Sequence, residues 1–316
     1  MKNTEKAENW LYSCAYNGLA HSYNVEKEQW VKEYPEVTGY LLDYMCVNNY
    51  NEKKLKKIAK ALLKKQDKTG GFPSFFDKHI LFAFDTSQIL IGFCEYYKKT
   101  QNKKYYEAAI KAGNFLMESQ LNNGAFVPIF DKKKNQYIIN QETYALWNGP
   151  FSGLMCKLTE GYNALYEITK NKLYKERTKL TIDFYKTQPD IEYTHPMGYF
   201  LEGLLAGGET NLVKEKLEKL IIPRIRENGY IPYAESLDYA YVSGTIQLGI
   251  LLFKTGYQKE AEKILNYGRL VQANHKSGGL FQYADKNGNL DRHVHTEINS
   301  WGTKYFCQLE RLFANV

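Results

Sequence analysis

Carboxylates, histidines and aromatic rings gather in this sequence at one kind of place, the start of an apolar run with helical spacing. Tyr34, Glu36, Thr38 and Tyr40 stand at the first such start, Asp85, Thr86 and Gln88 at the second, and Trp147, Asn148 and Ser152 at the third. His195 and Tyr199 open the fourth, with Glu202 two turns in, and Asp238 and Tyr241 open the fifth. The sixth is the densest, His293-Val294-His295-Thr296-Glu297-Ile298-Asn299-Ser300-Trp301, with Lys304 a turn further on. Such a set can move protons on a polyhydroxylated ligand. Paired carboxylates hydrolyse glycosidic bonds when ~5–5.5 Å apart (retention) or ~6.5–9.5 Å apart (inversion). His and Tyr as acid and base serve epimerisation or β-elimination of an acidic sugar, whose carboxylate Lys304 or Arg292 would neutralise. Glu36, Asp85, His195, His295 and Glu297 are accordingly the catalytic candidates. Tyr34, Tyr40, Gln88, Trp147, Asn148, Tyr199, Glu202, Asp238, Tyr241, Asn299, Trp301 and Lys304 are the substrate-binding ones.

Each polar residue at a helix start also has a plainer reading. Asp, Thr, Asn and Glu cap helices, and Asp85-Thr86 reads as an ordinary cap. Pro35 fits a first helical turn, where Glu36 meets the positive end of the helix. His, Tyr and Trp are not caps, so they carry the functional signal. His293, His295 and Glu297 would share one side of an extended strand, a spacing that suits a metal. The sequence instead starts the sixth apolar helix at Glu297–Trp301, which breaks that alternation and leaves a His295–Glu297 pair. No metal and no cofactor are expected.

Something must bring these starts to one face. A short pattern of a polar residue, a glycine turn and an aromatic recurs along the chain: Gln66-Asp67-Lys68-Thr69-Gly70-Gly71-Phe72, Gln120-Leu121-Asn122-Asn123-Gly124-Ala125-Phe126, Glu227-Asn228-Gly229-Tyr230 and Asn274 to Phe281. Tyr16-Asn17-Gly18-Leu19 is a further copy, and Gln188-Pro189-Asp190 stands where one is due without its glycine. The glycines are helix C-terminal turns rather than phosphate loops. Each follows a lysine-rich amphipathic helix (about 52–66, 103–120, 172–187, 211–227 and 258–273, with 5–16 at the N-terminus) and precedes a more apolar one (about 36–49, 85–98, 151–168, 195–207, 238–254 and 297–313). The pattern predicts an all-α (α/α)6 toroid: a single domain over residues 1–316, apolar helices inside, and the N-terminal helix closing the ring against the C-terminal one. An open solenoid is the alternative. In the closed ring the first and sixth starts are neighbours, so Glu36 is expected to face His295 and Glu297.

Composition narrows the partners. The 316 residues carry 44% apolar, 24% charged and 15% aromatic side chains, with 27 tyrosines, a number that the codon bias of an AT-rich genome accounts for in the main and that also suits a groove stacking on sugar rings. A net charge of +7 is spread over solvated lysine faces such as Lys53 to Lys57 and the loop Lys132 to Lys134. It does not form a nucleic-acid module, and it is compatible with an acidic glycan. There is no apolar leader, no membrane-length apolar window and no Cys-x-x-Cys among five scattered cysteines, so a cytoplasmic protein is expected. Oligomeric state is not legible.

On these residues the chain resembles the α/α-toroid group of six-hairpin glycosidases, terpene cyclases and protein prenyltransferase β-subunits, whose repeat signature the Gln-x-x-x-Gly-Gly-Phe copies match. The acid motif of the cyclases is absent, since Asp85-Thr86-Ser87-Gln88 holds one carboxylate, and no zinc-ligand set is present. Gly18 to Tyr23, Tyr34 to Tyr40, Asp85 to Gln88, Thr194-His195-Pro196 and Asn299-Ser300-Trp301 are similar to toroid proteins associated with bacterial polysaccharide biosynthesis and to the C-terminal domain of D-glucuronyl C5-epimerases. The resemblance implies a carbohydrate ligand. The expected function is an enzyme acting on an acidic sugar, or its carrier-linked precursor, by epimerisation, β-elimination or glycoside hydrolysis. A non-catalytic glycan-binding or scaffold protein of a polysaccharide assembly complex is the alternative, and a terpenoid cyclase-like enzyme a further one.

Overall fold

Lysine-rich and apolar helices alternate along the chain, and a computed structural model, which describes residues 2–138 and 152–315, arranges them as two concentric rings. Trp147 and Asn148 lie outside the described residues. The outer ring holds α1 (Lys2–Cys14), α3 (Glu52–Leu63), α5 (Lys103–Ser119), α7 (Lys172–Tyr185), α9 (Thr210–Lys216) and α11 (Gln258–Ala273). The inner ring holds α2 (Pro35–Val47), α4 (Ala83–Thr100), α6 (Leu158–Thr169, led in by the 3-10 turn Gly153–Lys157), α8 (Thr194–Ala206), α10 (Val242–Thr255) and α12 (Ser300–Ala314). Patterning decides the placement. In α3 only Leu55, Ile58, Ala59 and Leu62 are buried, while Lys53, Lys56, Lys57 and Lys60 stay in water. In α10 and α2 nearly every side chain is buried, because these helices are covered on all sides.

Each inner helix packs on the next, and α12 packs on both α2 and α1, which closes the ring as the repeats require. Arg311 on α12 donates from Nε to Glu8 of α1 at 2.9 Å and to the Tyr44 hydroxyl of α2 at 3.0 Å, and that hydroxyl donates to Glu8 at 2.7 Å. Among the described residues no helix is long and apolar enough to cross a membrane. The five cysteines are free and buried.

The repeated glycine and glutamine work as joints between neighbouring outer helices. A Cβ placed on Gly70 would lie 2.1 Å from the Lys111 carbonyl oxygen of α5, and one on Gly124 would lie 2.0 Å from that of Leu180 on α7. Gly229 abuts Lys263 of α11 at 1.9 Å and Gly278 abuts Lys6 of α1 at 2.7 Å, so the last joint returns to the first helix. The glutamine side chain spans the same seam. Gln66 Nε2 donates to Gly70 O (3.1 Å) and Ala108 O (2.8 Å), and Gln272 Nε2 to Gly278 O (2.8 Å) and Asn3 O (2.9 Å). Gln272 stands six residues before its glycine, a spacing the pattern above does not include. At the corner without a glycine, Gln188 bonds back to Phe184 of its own helix, and an ion pair between Lys216 and Asp190 spans the seam.

Two expectations about elements are corrected. The fourth outer helix, read as 211–227, is α-helical only to Lys216 and continues as a π turn (Leu217–Ile221) and a 3-10 turn (Ile222–Arg224). Pro223 is the cause: it offers no N–H and its ring collides with the carbonyl of the preceding turn. The sixth inner helix begins at Ser300, not Glu297, because Glu297–Asn299 forms strand β9.

Nine short strands among the described residues frame the mouth: β1 (His21–Asn24), β2 (Gln29–Glu33), β3 (Ile80–Phe82), β4 (Ile129–Asp131), β5 (Gln136–Ile138), β6 (Ala240–Tyr241), β7 (Leu280–Phe281), β8 (Tyr283–Ala284) and β9. They pair antiparallel in the orders β2-β1-β9-β7, β3-β4-β5 and β6-β8. At two to five residues each, they are too short to show an alternation in sequence. Strands β2, β3, β6 and β9 run straight into α2, α4, α10 and α12, so these helices all start at one face.

The inner helices approach closely through glycine. A Cβ on Gly39 of α2 would stand 2.6 Å from the Ile89 Cα of α4, and one on Gly92 of α4 2.7 Å from the Gly39 oxygen. Gly39→Ala forces backbones apart and is expected to cost about 1–3 kcal/mol, read from the midpoint of urea unfolding. An unchanged midpoint would show that α2 and α4 are free to separate.

Candidate active site

Threonine fixes how the inner helices begin. Thr38, Thr86, Thr245 and Thr303 each hold the fourth position of their helix. Thr38 Oγ1 donates to the Tyr34 carbonyl (2.7 Å) and accepts from the Ala20 amide (2.8 Å). Thr303 does the same with Asn299 (2.7 Å) and Leu280 (3.0 Å), and Thr86 accepts from Phe72 (3.1 Å). The segments after the glycine turns at Gly18, Gly70 and Gly278 are thus bolted to a helix start, and the side chains one turn either side are held at the base of the mouth. The capping reading fails for Asp85 and Thr86, since α4 already starts at Ala83. Among the described inner-helix starts only Asn299 caps with its side chain, accepting from Gly302 at 2.7 Å. A buried carboxylate that caps nothing is therefore available for chemistry.

Glu36 and Asp85 are that pair. They are 5% and 4% exposed, on adjacent inner helices, and the Glu36 charge acts on Asp85. Burial pushes Glu36 up to about 7, with the phenols of Tyr34 and Tyr40 beside it pulling the other way. Burial and the Glu36 charge together raise Asp85 well above the usual carboxylate range. Asp85 Oδ2 and the Tyr40 hydroxyl complete no hydrogen bond among the described residues. Tyr199 joins from α8, close to Tyr40 and Glu36, with its ring 4.9 Å from that of Phe84. Burial keeps Tyr34, Tyr40 and Tyr199 protonated far above neutrality, so they are hydrogen-bond donors, not phenolates. The site holds two buried carboxyl groups, both raised by burial and one of them titrating near neutrality, with a fringe of phenols.

His195 lies 3% exposed at the start of α8, between the rings of Tyr199 and Tyr241, each 4.5 Å away. Burial pushes it down to about 3, and the Lys157 charge pushes in the same direction. It is a neutral imidazole. Its Nδ1 meets Gln247 Oε1; Gln247 Nε2 donates to Glu202 Oε2 (2.8 Å) and to the Tyr305 hydroxyl (3.1 Å). The buried Lys157 ammonium pairs with that same Glu202 oxygen (2.9 Å) and with Glu160 (2.7 Å). Gly244 lets α10 come this close: a Cβ there would stand 2.7 Å from the His195 backbone.

Below these residues a cavity of about 30 Å³, water-sized, opens among Tyr40, Asp43, Gln88, Ile91, Lys157, Glu160 and Lys304. Lys304 makes no ion pair among the described residues. It sits over the rings of Tyr305 (4.4 Å) and Tyr40 (5.2 Å), and burial lowers it to about 8 against the pull of Asp43. Gln88 Nε2 is buried there without a hydrogen-bond partner among the described residues.

The structure gathers Glu36, Asp85, Tyr34, Tyr40, Tyr199, Tyr241 and His195, with Glu202, Gln88 and Lys304 beneath. Trp301 joins at the first and fifth starts, edge-on to Tyr34 at 6.1 Å and beside the Tyr241 phenol. Other candidates lie apart. His295 is exposed and stacks on Tyr283 at 5.7 Å; Glu297 is half-buried beside it, which raises its pKa. His293 sits in an exposed turn before β9, out of strand alternation with Glu297. Asp238 is exposed ahead of β6, because the fifth inner helix starts at Val242. The charged neighbour that Glu36 acquires is Asp85, not Glu297. The sequence reading missed Asp43, Lys157, Gln247 and Tyr305. Their signal is a polar residue inside an apolar helix, as in Leu41-Leu42-Asp43-Tyr44 and Ile246-Gln247-Leu248.

No family model and no curated protein matches this sequence. Solved structures do match it. The chain shares its fold with sugar epimerases. The cellobiose 2-epimerase of Spirochaeta thermophila DSM 6192 superposes with a TM-score of 0.77 at 12% identity, over 98% of this chain and 94% of that one. The cellobiose 2-epimerase of Bacillus thermoamylovorans B4167 gives 0.74 at 14%, over 99% and 100%. A D-mannose isomerase gives 0.73 at 10%, over 100% and 97%. At these identities the likeness is one of fold: the toroid read from the repeats.

Proposed function

We propose that this protein is a carbohydrate-active enzyme that epimerises a sugar by taking a proton from carbon and returning it. The observation that carries this reading is the Glu36–Asp85 pair. Two buried carboxyl groups stand on adjacent inner helices, both raised by burial, and we assign Glu36, which ionises near neutrality, as the base and Asp85, raised further by the Glu36 charge, as the acid. Neutral His195 and the phenols of Tyr34, Tyr40 and Tyr199 donate to, or accept from, the hydroxyls around the reacting carbon. The fold shared with cellobiose 2-epimerases and a mannose isomerase supports a sugar ligand. The charges at the base of the mouth disfavour a terpenoid. Lys304, a buried ammonium without an ion pair among the described residues, favours an acidic sugar and with it a place in polysaccharide metabolism. We read residues 1–316 as one catalytic domain.

The test is incubation in heavy water with cellobiose, mannose and glucuronate-containing oligosaccharides, followed by NMR. Deuterium is expected at the carbon next to the carbonyl or carboxylate, most rapidly in the uronates. Binding without exchange in every sugar would make the protein a glycan-binding module instead. Cleaved or unsaturated products would assign hydrolysis or β-elimination.

A further inference from the structure

The partners of Gln247 settle which way round its amide lies. Its nitrogen is 2.8 Å from Glu202 Oε2, an oxygen that is also ion-paired to Lys157 at 2.9 Å. A carboxylate only accepts, so the amide N–H must face Glu202 and the amide oxygen must face His195. A carbonyl oxygen also only accepts, so the proton of His195 lies on Nδ1, and in the neutral ring the lone pair is on Nε2. The packing leaves the ring little freedom to turn. Tyr199 and Tyr241 lie against it, and the α10 backbone at Gly244 closes on its own backbone. Gln247 is itself hemmed in, since even a Cβ on Gly198 would come within 3.3 Å of its side chain.

We propose that Gln247 and Glu202, anchored by Lys157, are positioning residues that lock His195 in its Nδ1–H tautomer and so leave the lone pair of the neutral ring on Nε2. The catalytic half of this proposal rests on the epimerase reading; the tautomer half does not. Glu202 then acts through Gln247, and the chain from His195 to Glu160 is a support that sets the position of the ring proton.

The test is NMR of the full chain carrying ¹⁵N-histidine at neutral pH, with the His195 signals assigned by their loss in His195→Ala. A protonated Nδ1 and an unprotonated Nε2 are expected. Gln247→Leu, or Glu202→Gln if that variant does not fold, is expected to move the ring toward the Nε2–H form. The same variant should lower kcat by about 10–100-fold with KM little changed, the usual scale for losing a residue that orients another. A His195 that carries its proton on Nε2, or on both nitrogens, overturns the tautomer, as does a tautomer that neither variant shifts. A shifted tautomer with unchanged kcat overturns the positioning role alone. The expected tautomer in a protein that exchanges no sugar proton overturns the epimerase reading and leaves the tautomer standing.

Discussion

Glu36→Gln is expected to lower kcat by about 10²–10⁴-fold, the range over which a positioned acid or base contributes. The wild-type pH profile should carry an acid limb centred near 7, because Glu36 must lose its proton to act and burial holds that event near 7. His195 cannot supply this limb, since its own protonation lies near 3. The residual activity of the variant should therefore be flat across the same range, and a limb that survives would remove Glu36 from the base role. Stability should move the other way. The Glu36 pKa rises from 4.5 in the unfolded chain to about 7 in the fold, so the folded state disfavours the charged form. Folding stability is then lost as pH climbs from 4.5 through 7, by about 3 kcal/mol in all. Glutamine never ionises, so the variant should out-last the wild type in urea at pH 8 and match it near pH 4. A site that weakens its own fold in this way is a common accompaniment of catalysis.

Lys157→Met is expected to cost about 3–5 kcal/mol, the scale for removing one member of a buried ion pair. Lys157 is 4% exposed and holds both Glu160 and Glu202, the second of which has an 11%-exposed side chain. Its ammonium is stabilised by these carboxylates, which outweigh burial and raise its pKa. Deleting the cation leaves Glu202 unpaired next to Gln247. Urea unfolding at neutral pH reads the effect, and lowering the pH should recover part of it as the abandoned carboxylates take up protons. A variant as stable as the wild type would mean that the pair is solvated and that Glu202 does not depend on it.

The ring was legible because it is written six times. Each glycine turn and each lysine stripe is weak alone, but a period of alternating helix character survives local noise, and Arg311 meets Glu8 where closure required it. What was not legible arises between elements. The sequence marks Glu36 and Asp85 as polar groups at helix starts; that α2 and α4 touch through Gly39, and so bring them together, is a packing fact. His295 and Glu297 looked central because they are dense in sequence, yet a strand of three residues holds Glu297 among the mouth strands, and His295 stays exposed beside it. Lys157 and Gln247 were hidden by their apolar neighbours, since a helix buried all round offers no polar face on which such a residue stands out. Pro223 alone was a local signal that outranked the periodicity.

The joints between outer helices have a mechanical consequence. A row of hairpins has two free ends and frays from them. Here the Gly278–Lys6 contact and the Glu8–Arg311 pair leave none, so the circle can part only at a seam. Most seams are held by a glycine seated on a neighbouring backbone, a contact that dissolved ions do not weaken. At the seam between α7 and α9 the span is made by Asp190 and Lys216, with Asp190 39% exposed on its side chain. Ions screen such a pair. At this corner the molecule thus carries a latch whose grip follows ionic strength, where a seated glycine does the same work at its neighbours.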